Sequence, residues 1–255
     1  MKDLRQAREL ATRLEVVTES GSTNAELRSH GADTDGWPHL SVLLTDNQTA
    51  GRGRLDRTWL APAGSALAIS VLLRVLPTNL TAHGWIPLLA GVAMADAIAS
   101  QLPARHVAVK WPNDVLVEDR KICGILAEAG GDAVVVGAGV NTAMTAEQLP
   151  VPTATSFALA GVRVDEDRLV ADYLRALDSQ LTALIDTGDA IASGLHSTAT
   201  ARCSTIGRHV RVSLPGDQTL DGVATGLDAD GRLLVDAAGT EHAISAGDVV
   251  HVRST

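Results

Sequence analysis

Cysteine is nearly absent. Cys123 and Cys203 are the only two among 255 residues, and neither sits in a CxxC or Cys/His ligand spacing, which argues against a disulfide framework and a structural zinc site. Lysine is almost as scarce: three residues, Lys2, Lys110 and Lys121, against eighteen arginines. Acidic side chains outnumber basic ones 30 to 21, for a formal charge of -9, which disfavours a broad footprint on nucleic acid or an anionic membrane. The N-terminal MKDLRQARELATRLE carries charge throughout and lacks an apolar signal core, and no later apolar run reads as a membrane span. A reducing cytoplasm is therefore expected, with no nucleic-acid or membrane partner. No glycine precedes any of the lysines, so a P-loop is missing; GxSxG and HExxH do not occur, and Gly51-x-Gly53-x-x-Asp56 lacks the third glycine of a dinucleotide fingerprint.

What is present suits a globular chain, since 45% of residues are hydrophobic and can bury a sizeable core. Leu4, Ala7, Leu10, Ala11 and Leu14 have the spacing of an amphipathic helix over 3–14. A short strand over 15–18 follows, and Thr23 with Glu26 has capping-box spacing for a second helix. Strands are expected at 40–45 and 66–73, then a long buried helix over 86–102 with Pro87 in its first turn. Segments 107–110, 115–118, 122–128 and 133–140 read as strands whose short connections imply antiparallel neighbours. Asp165 caps a helix running to about Asp186, and 187–201 reads as a weakly patterned Ser/Thr/Ala connector. From Arg202 onward, short alternating runs with turns at 215–217 and 228–231 describe a small all-β domain. The expected division is 1–200 and 201–255.

Two segments concentrate chemistry. In the loop Gln48-Thr49-Ala50-Gly51-Arg52-Gly53-Arg54-Leu55-Asp56-Arg57-Thr58-Trp59, glycines permit close backbone approach, and three arginines repel one another unless an anion joins them. A solvated basic loop is the bland alternative. Lys110-Trp111-Pro112-Asn113-Asp114 places a rare lysine and a carboxylate at a strand end running into a turn, and Arg120-Lys121-Ile122-Cys123-Gly124-Ile125-Leu126 opens an apolar strand with the other. Either lysine by itself reads equally as a solvated edge residue.

Together with Ser22-Thr23-Asn24 and Gly137-Ala138-Gly139-Val140-Asn141, in this order along 15–255, these motifs resemble the biotin protein ligase family. The resemblance implies an α/β catalytic domain, a mixed sheet with helices mainly on one face as in class II aminoacyl-tRNA synthetases, followed by a small SH3-like β-barrel. It implies an ATP-dependent ligase that forms biotinyl-5′-AMP from biotin and ATP with Mg²⁺. The biotinyl group then passes to a lysine of a biotin carboxyl carrier domain.

By the same resemblance, Lys121, Arg52 and Arg54 are the catalytic cations. Ser22, Thr23, Asn24, Gln48, Arg52, Gly53, Arg54 and Lys121 bind biotin. Gly51, Arg52, Trp59, Lys110, Asn113, Asp114 and Asn141 bind ATP, with Asp114 a possible metal ligand. Ordinary structural roles stand beside these: Thr23 a cap, Trp59 a core residue, Asn141 a turn. The single N-terminal helix leaves no room for the DNA-binding domain of bifunctional relatives, and Thr225 stands where some relatives carry an arginine near the nucleotide, which speaks against a nucleotide role for 202–255. Two other readings compete: a lipoate ligase or octanoyltransferase, and a non-catalytic sensor of biotin or its adenylate.

Overall fold

A computed structural model describes residues 3–55, 57–214, 218–245 and 247–252. Helix α1 spans Arg5–Leu10 and strand β1 Arg13–Val16. Helix α2 covers Thr23–Ser29, β2 Ser41–Thr45, β3 Gly51–Arg52, β4 Thr58–Trp59 and β5 Ala66–Leu73. After α3, Ile86–Gln101, come β6, Val107–Lys110, β7, Asp114–Val117, β8, Arg120–Gly130, and β9, Ala133–Asn141. Helices α4, Glu166–Thr187, and α5, Leu195–Arg202, lead into β10 to β14: His209–Leu214, Gln218–Leu227, Leu233–Ala237, Thr240–Ile244 and Asp248–His251.

Seven strands form one mixed sheet in the order β1-β2-β5-β9-β8-β7-β6, in which β1 and β2 alone run parallel. Because side chains alternate across a strand, Leu67, Ile69, Val71 and Leu73 of β5 and Val134, Val136, Ala138 and Val140 of β9 share one face, where α3 and α4 bury them. On the opposite face lie Ala68, Ser70 and Leu72, then Val135, Gly137, Gly139 and Asn141. There α2 seats Leu27 against Leu43, Leu72 and Val135, which leaves the rest of that face to a cavity. The C-terminal strands make a five-stranded antiparallel sheet of SH3-like kind, β13-β12-β11-β10-β14, and its Val210, Val212 and Val235 join the main core.

Four expectations need correction. The first helix stops at Leu10, because Leu14 instead pairs with Val42 in the β1–β2 ladder; a short helix gains little from one more turn against a full ladder. The cap of α2 is Ser22, whose hydroxyl accepts from the Ala25 N–H, while Glu26 takes the Ser20 hydroxyl at 2.8 Å. The connector contains α5, held by buried Leu195 and Ala199. Leu80–Gln101 is long and apolar enough to cross a membrane, but most of it is buried as the central helix of the core. The turn expected at 215–217 lies outside the described residues.

Candidate active site

The open sheet face carries a cavity of about 440 Å³, within the usual range for small-molecule sites of roughly 300–1,000 Å³. Its floor follows from register. Ala68, Gly139, Gly124 and Asp114 stand side by side across β5, β9, β8 and β7, and Ser70, Gly137 and Leu126 form the next row. A groove results because the middle positions are glycine. A methyl group on Gly139 would lie 2.7 Å from Trp59 Cε2 and one on Gly124 would lie 3.1 Å from Lys121 Nζ. The indole and the ammonium therefore rest where side chains would otherwise stand.

Lys121 reaches this face through an irregularity. The β7–β8 register shifts between Val115 and Leu116, so one extra residue enters β8. Alternation would send residues 121 and 124 to opposite faces, and the bulge puts them on the same one. Lys121 Nζ then meets Asp114 Oδ1 at 2.6 Å.

At the other end of the groove α2 points its first turn at the sheet. Thr23 N–H donates to Gln48 Oε1 at 2.9 Å, and Thr23 Oγ1 lies 3.1 Å from the same atom and 2.8 Å from Ser70 Oγ. Ser70 Oγ is also 2.6 Å from Asn24 Oδ1, and Asn24 Nδ2 donates to Leu126 O and Glu128 Oε2. Glu128 in turn pairs with Arg28 at 2.9 Å and Arg52 at 3.4 Å. Thr23, Asn24 and Ser70 are buried, and their hydrogen bonds offset the desolvation that burial imposes.

The glycine/arginine loop closes the roof. It is a minimal hairpin in which Gly51 faces Trp59 and Arg52 faces Thr58, with its entry fastened by Ala50 N–H to Gly21 O. Arg54 extends from it to donate to Asn113 Oδ1 at 2.9 Å and to Gly247 O at 3.1 Å, so the loop touches the C-terminal sheet. Burial pulls the Arg54 guanidinium below its ordinary value, with Asp114 opposing the shift and Arg57 adding to it. Asn113 Nδ2 donates to Ile125 O, and Asn141 Nδ2 to Thr155 O at 2.9 Å, which ties the loop after β9 to the cavity wall.

Of the residues expected from sequence, Ser22, Thr23, Asn24, Gln48, Arg52, Gly53, Arg54, Trp59, Asn113, Asp114, Lys121 and Asn141 line the cavity. Gly51 lies just behind it, packed against Gln48 and Trp59. Lys110 also stays off its wall. Burial lowers the Lys110 pKa, with Asp114 opposing and Lys121 and Arg57 reinforcing, and Lys110 in turn helps to depress His251. That imidazole is pushed down to about 4, first by burial and then by Lys110 and Arg208, and its Nε2 lies 3.2 Å from Thr205 Oγ1. Sequence reasoning missed Ser70 and Glu128. Alternation along β5 and β8 would have placed both on the cavity face.

Asp114 offers one carboxylate, already bonded to Lys121, and the described residues hold no cluster of three His, Cys, Asp or Glu side chains. A divalent ion fits such a site only when nucleotide phosphates supply most of its ligands, as Mg²⁺ commonly requires.

Residues 17–141 match the model of the biotin/lipoate A/B protein ligase family, and 205–252 that of the biotin protein ligase C terminal domain. A biotin–[acetyl-CoA-carboxylase] ligase of Mycobacterium tuberculosis is 41% identical over 246 residues, covering 94% of this chain and 89% of the relative. The bifunctional ligase/repressor BirA of Escherichia coli is 35% identical over 205 residues, 78% of this chain and 62% of that protein. Among solved structures, a biotin protein ligase from Aquifex aeolicus in complex with biotin and ATP matches with a TM-score of 0.78 and 24% identity, covering 95% of this chain and all of the other. The chain belongs to the biotin protein ligase family.

Proposed function

We propose that the protein is an ATP-dependent, AMP-forming biotin protein ligase acting on the carrier domain of a biotin-dependent carboxylase. The observation that carries this reading is a single groove with urea-binding groups at one end and cations at the other. Thr23, Gln48 and the Ser22 hydroxyl can both donate to and accept from a cyclic urea. The glycine floor takes an aliphatic tail, and Arg52, Arg54 and Lys121 stand where its carboxylate and an α-phosphate must meet.

In the first step a biotin carboxylate oxygen attacks the α-phosphorus of ATP and pyrophosphate departs with the bond electrons. Two anions have to approach each other, so fixed cations that neutralise the developing charge lower the barrier. We assign that work to Lys121, Arg52 and Arg54, and the stacking of adenine to Trp59 beside Asn141. Asp114 and Asn113 would hold a phosphate-bound Mg²⁺, which when present adds further charge neutralisation at the phosphates. In the second step a carrier lysine, as free amine, attacks the acyl carbon and AMP leaves. Its ordinary pKa near 10.4 means it must first give up a proton. The relative's name supports a carboxylase carrier as acceptor. We retain the division at 1–200 and 201–255 as part of this proposal, and a reducing cytoplasm as the setting for two buried free cysteines.

Intact-mass spectrometry of a carrier domain incubated with the protein, MgATP and either biotin or lipoate tests the reading. The expected result is one biotin-sized increase and none with lipoate. Transfer of lipoate, or retained adenylate with no transfer, would replace it.

A further inference from the structure

Glu128 belongs to none of the groups assigned above, yet every polar side chain at the urea end of the groove connects to it. A carboxylate accepts only, so at Asn24 it must face the amide nitrogen, and Asn24 Nδ2 donates to it at 2.9 Å. The amide oxygen is then turned to Ser70, 2.6 Å away, and takes the Ser70 proton, since that contact is shorter than the 2.8 Å to Thr23. Ser70 Oγ is left as an acceptor, so the Thr23 hydroxyl donates to it. The free lone pair of Thr23 Oγ1 faces the cavity, ready for an N–H.

We propose that Glu128 is a positioning residue: by fixing the direction of the Asn24–Ser70–Thr23 chain, it presents Thr23 Oγ1 as the acceptor for a urea N–H of the substrate. This rests on the ligase reading. Arg28 and Arg52 hold the carboxylate in place from the other side. With an amide at 128, Asn24 can flip, Ser70 can reverse, and Thr23 meets the urea proton with its own.

Calorimetric titration with biotin tests this on the full chain. Glu128→Gln is expected to weaken binding about tenfold, the worth of one buried hydrogen bond, and Asn24→Asp to do the same by opposing two carboxylates. The double variant exchanges the two groups: the carboxylate introduced at position 24 accepts from both Ser70 and the amide introduced at position 128. Binding should return to within about threefold of wild type, although the counter-ion of Arg28 and Arg52 is still lost. Ser70→Ala, which cuts the chain without touching either charge, should weaken binding as Glu128→Gln does. A double variant no better than the singles, or an unchanged Ser70→Ala, overturns the inference while leaving the ligase reading intact. Failure of the wild type to bind biotin overturns both.

Discussion

Two glycines one pleat apart on β9 should respond differently to the same added methyl group. At Gly137 the new Cβ would lie 2.9 Å from Asn24 Cγ and 3.0 Å from its Nδ2. Asn24 cannot retreat, because Leu126 O, Glu128 and Ser70 hold its amide at 3.1, 2.9 and 2.6 Å. Overpacking a rigid site costs about 1–3 kcal/mol, and each buried hydrogen bond stretched or lost adds about 1 kcal/mol. Gly137→Ala should therefore lose about 3 kcal/mol, and a chain of this size should melt about 6–12 °C lower. At Gly139 the methyl would meet the Trp59 indole at 2.7 and 2.8 Å. Trp59 sits on a hairpin of two paired positions that can lift away, so Gly139→Ala should cost less than about 1 kcal/mol of stability. The displacement should appear instead as a raised KM for ATP with biotin affinity retained. Thermal melting with parallel ATP and biotin titrations would separate the two. Equal melting losses, or a Gly139→Ala protein with unchanged KM for ATP, would refute the claim that the floor is rigid and the roof movable.

Lys121→Met should slow adenylate formation about 10²–10³-fold, as loss of one fixed charge-stabilising donor does; pyrophosphate release measures it, and a drop below about fivefold would remove Lys121 from that step. Arg54→Lys keeps the charge but not the fork that reaches Asn113 Oδ1 and Gly247 O together; amide exchange at Val249 and Val250 should rise, and unchanged exchange would detach the loop from the C-terminal sheet. His251 supplies a pH dependence: its native pKa, near 4, lies below the ordinary 6.5, so the unfolded chain binds the proton first and stability falls as pH drops from 6.5 to 4. The full gap is worth about 3 kcal/mol, which half-burial reduces to about 1–2 kcal/mol. Urea titrations of wild type and His251→Asn should diverge across that range, and parallel curves would contradict the assignment.

The legible parts of this fold are those where one pattern decides the outcome. The unbroken apolar runs of β5 and α3 read correctly because each is buried over nearly its whole length. The Asp165 cap read correctly because its carboxylate meets the Arg168 N–H. Helix α5 was illegible, since LHSTATAR has little apolar periodicity and its helicity follows from Leu195 and Ala199 docking on the core. At the site, glycine, arginine and lysine stood out by rarity or clustering. Ser70, one small polar residue inside ALAISVLL, did not, although its 2.6 Å and 2.8 Å contacts join Asn24 to Thr23. The shared face of Lys121 and Gly124 was equally hidden, because a β-bulge leaves no mark in composition.

The C-terminal sheet enters the site by another route than the arginine some relatives place near the nucleotide. Thr225 is exposed and bonds weakly to Leu234 O, away from the groove. The turn after β6 instead hangs from that sheet and the segment before it. Trp111 N–H donates to the fully buried Thr205 Oγ1 and the indole N–H to Gly231 O, while Ser204 N–H donates to Val109 O. Since Asn113 and Asp114 follow directly, the placement of the phosphate-end groups depends on contacts made about 90 to 120 residues further along the chain. The shared core through Val210 and Val212 makes that support stiff. The small domain thus acts on the chemistry through the backbone of Lys110–Asp114 and through Arg54, and a charged side chain of its own is not required for that role.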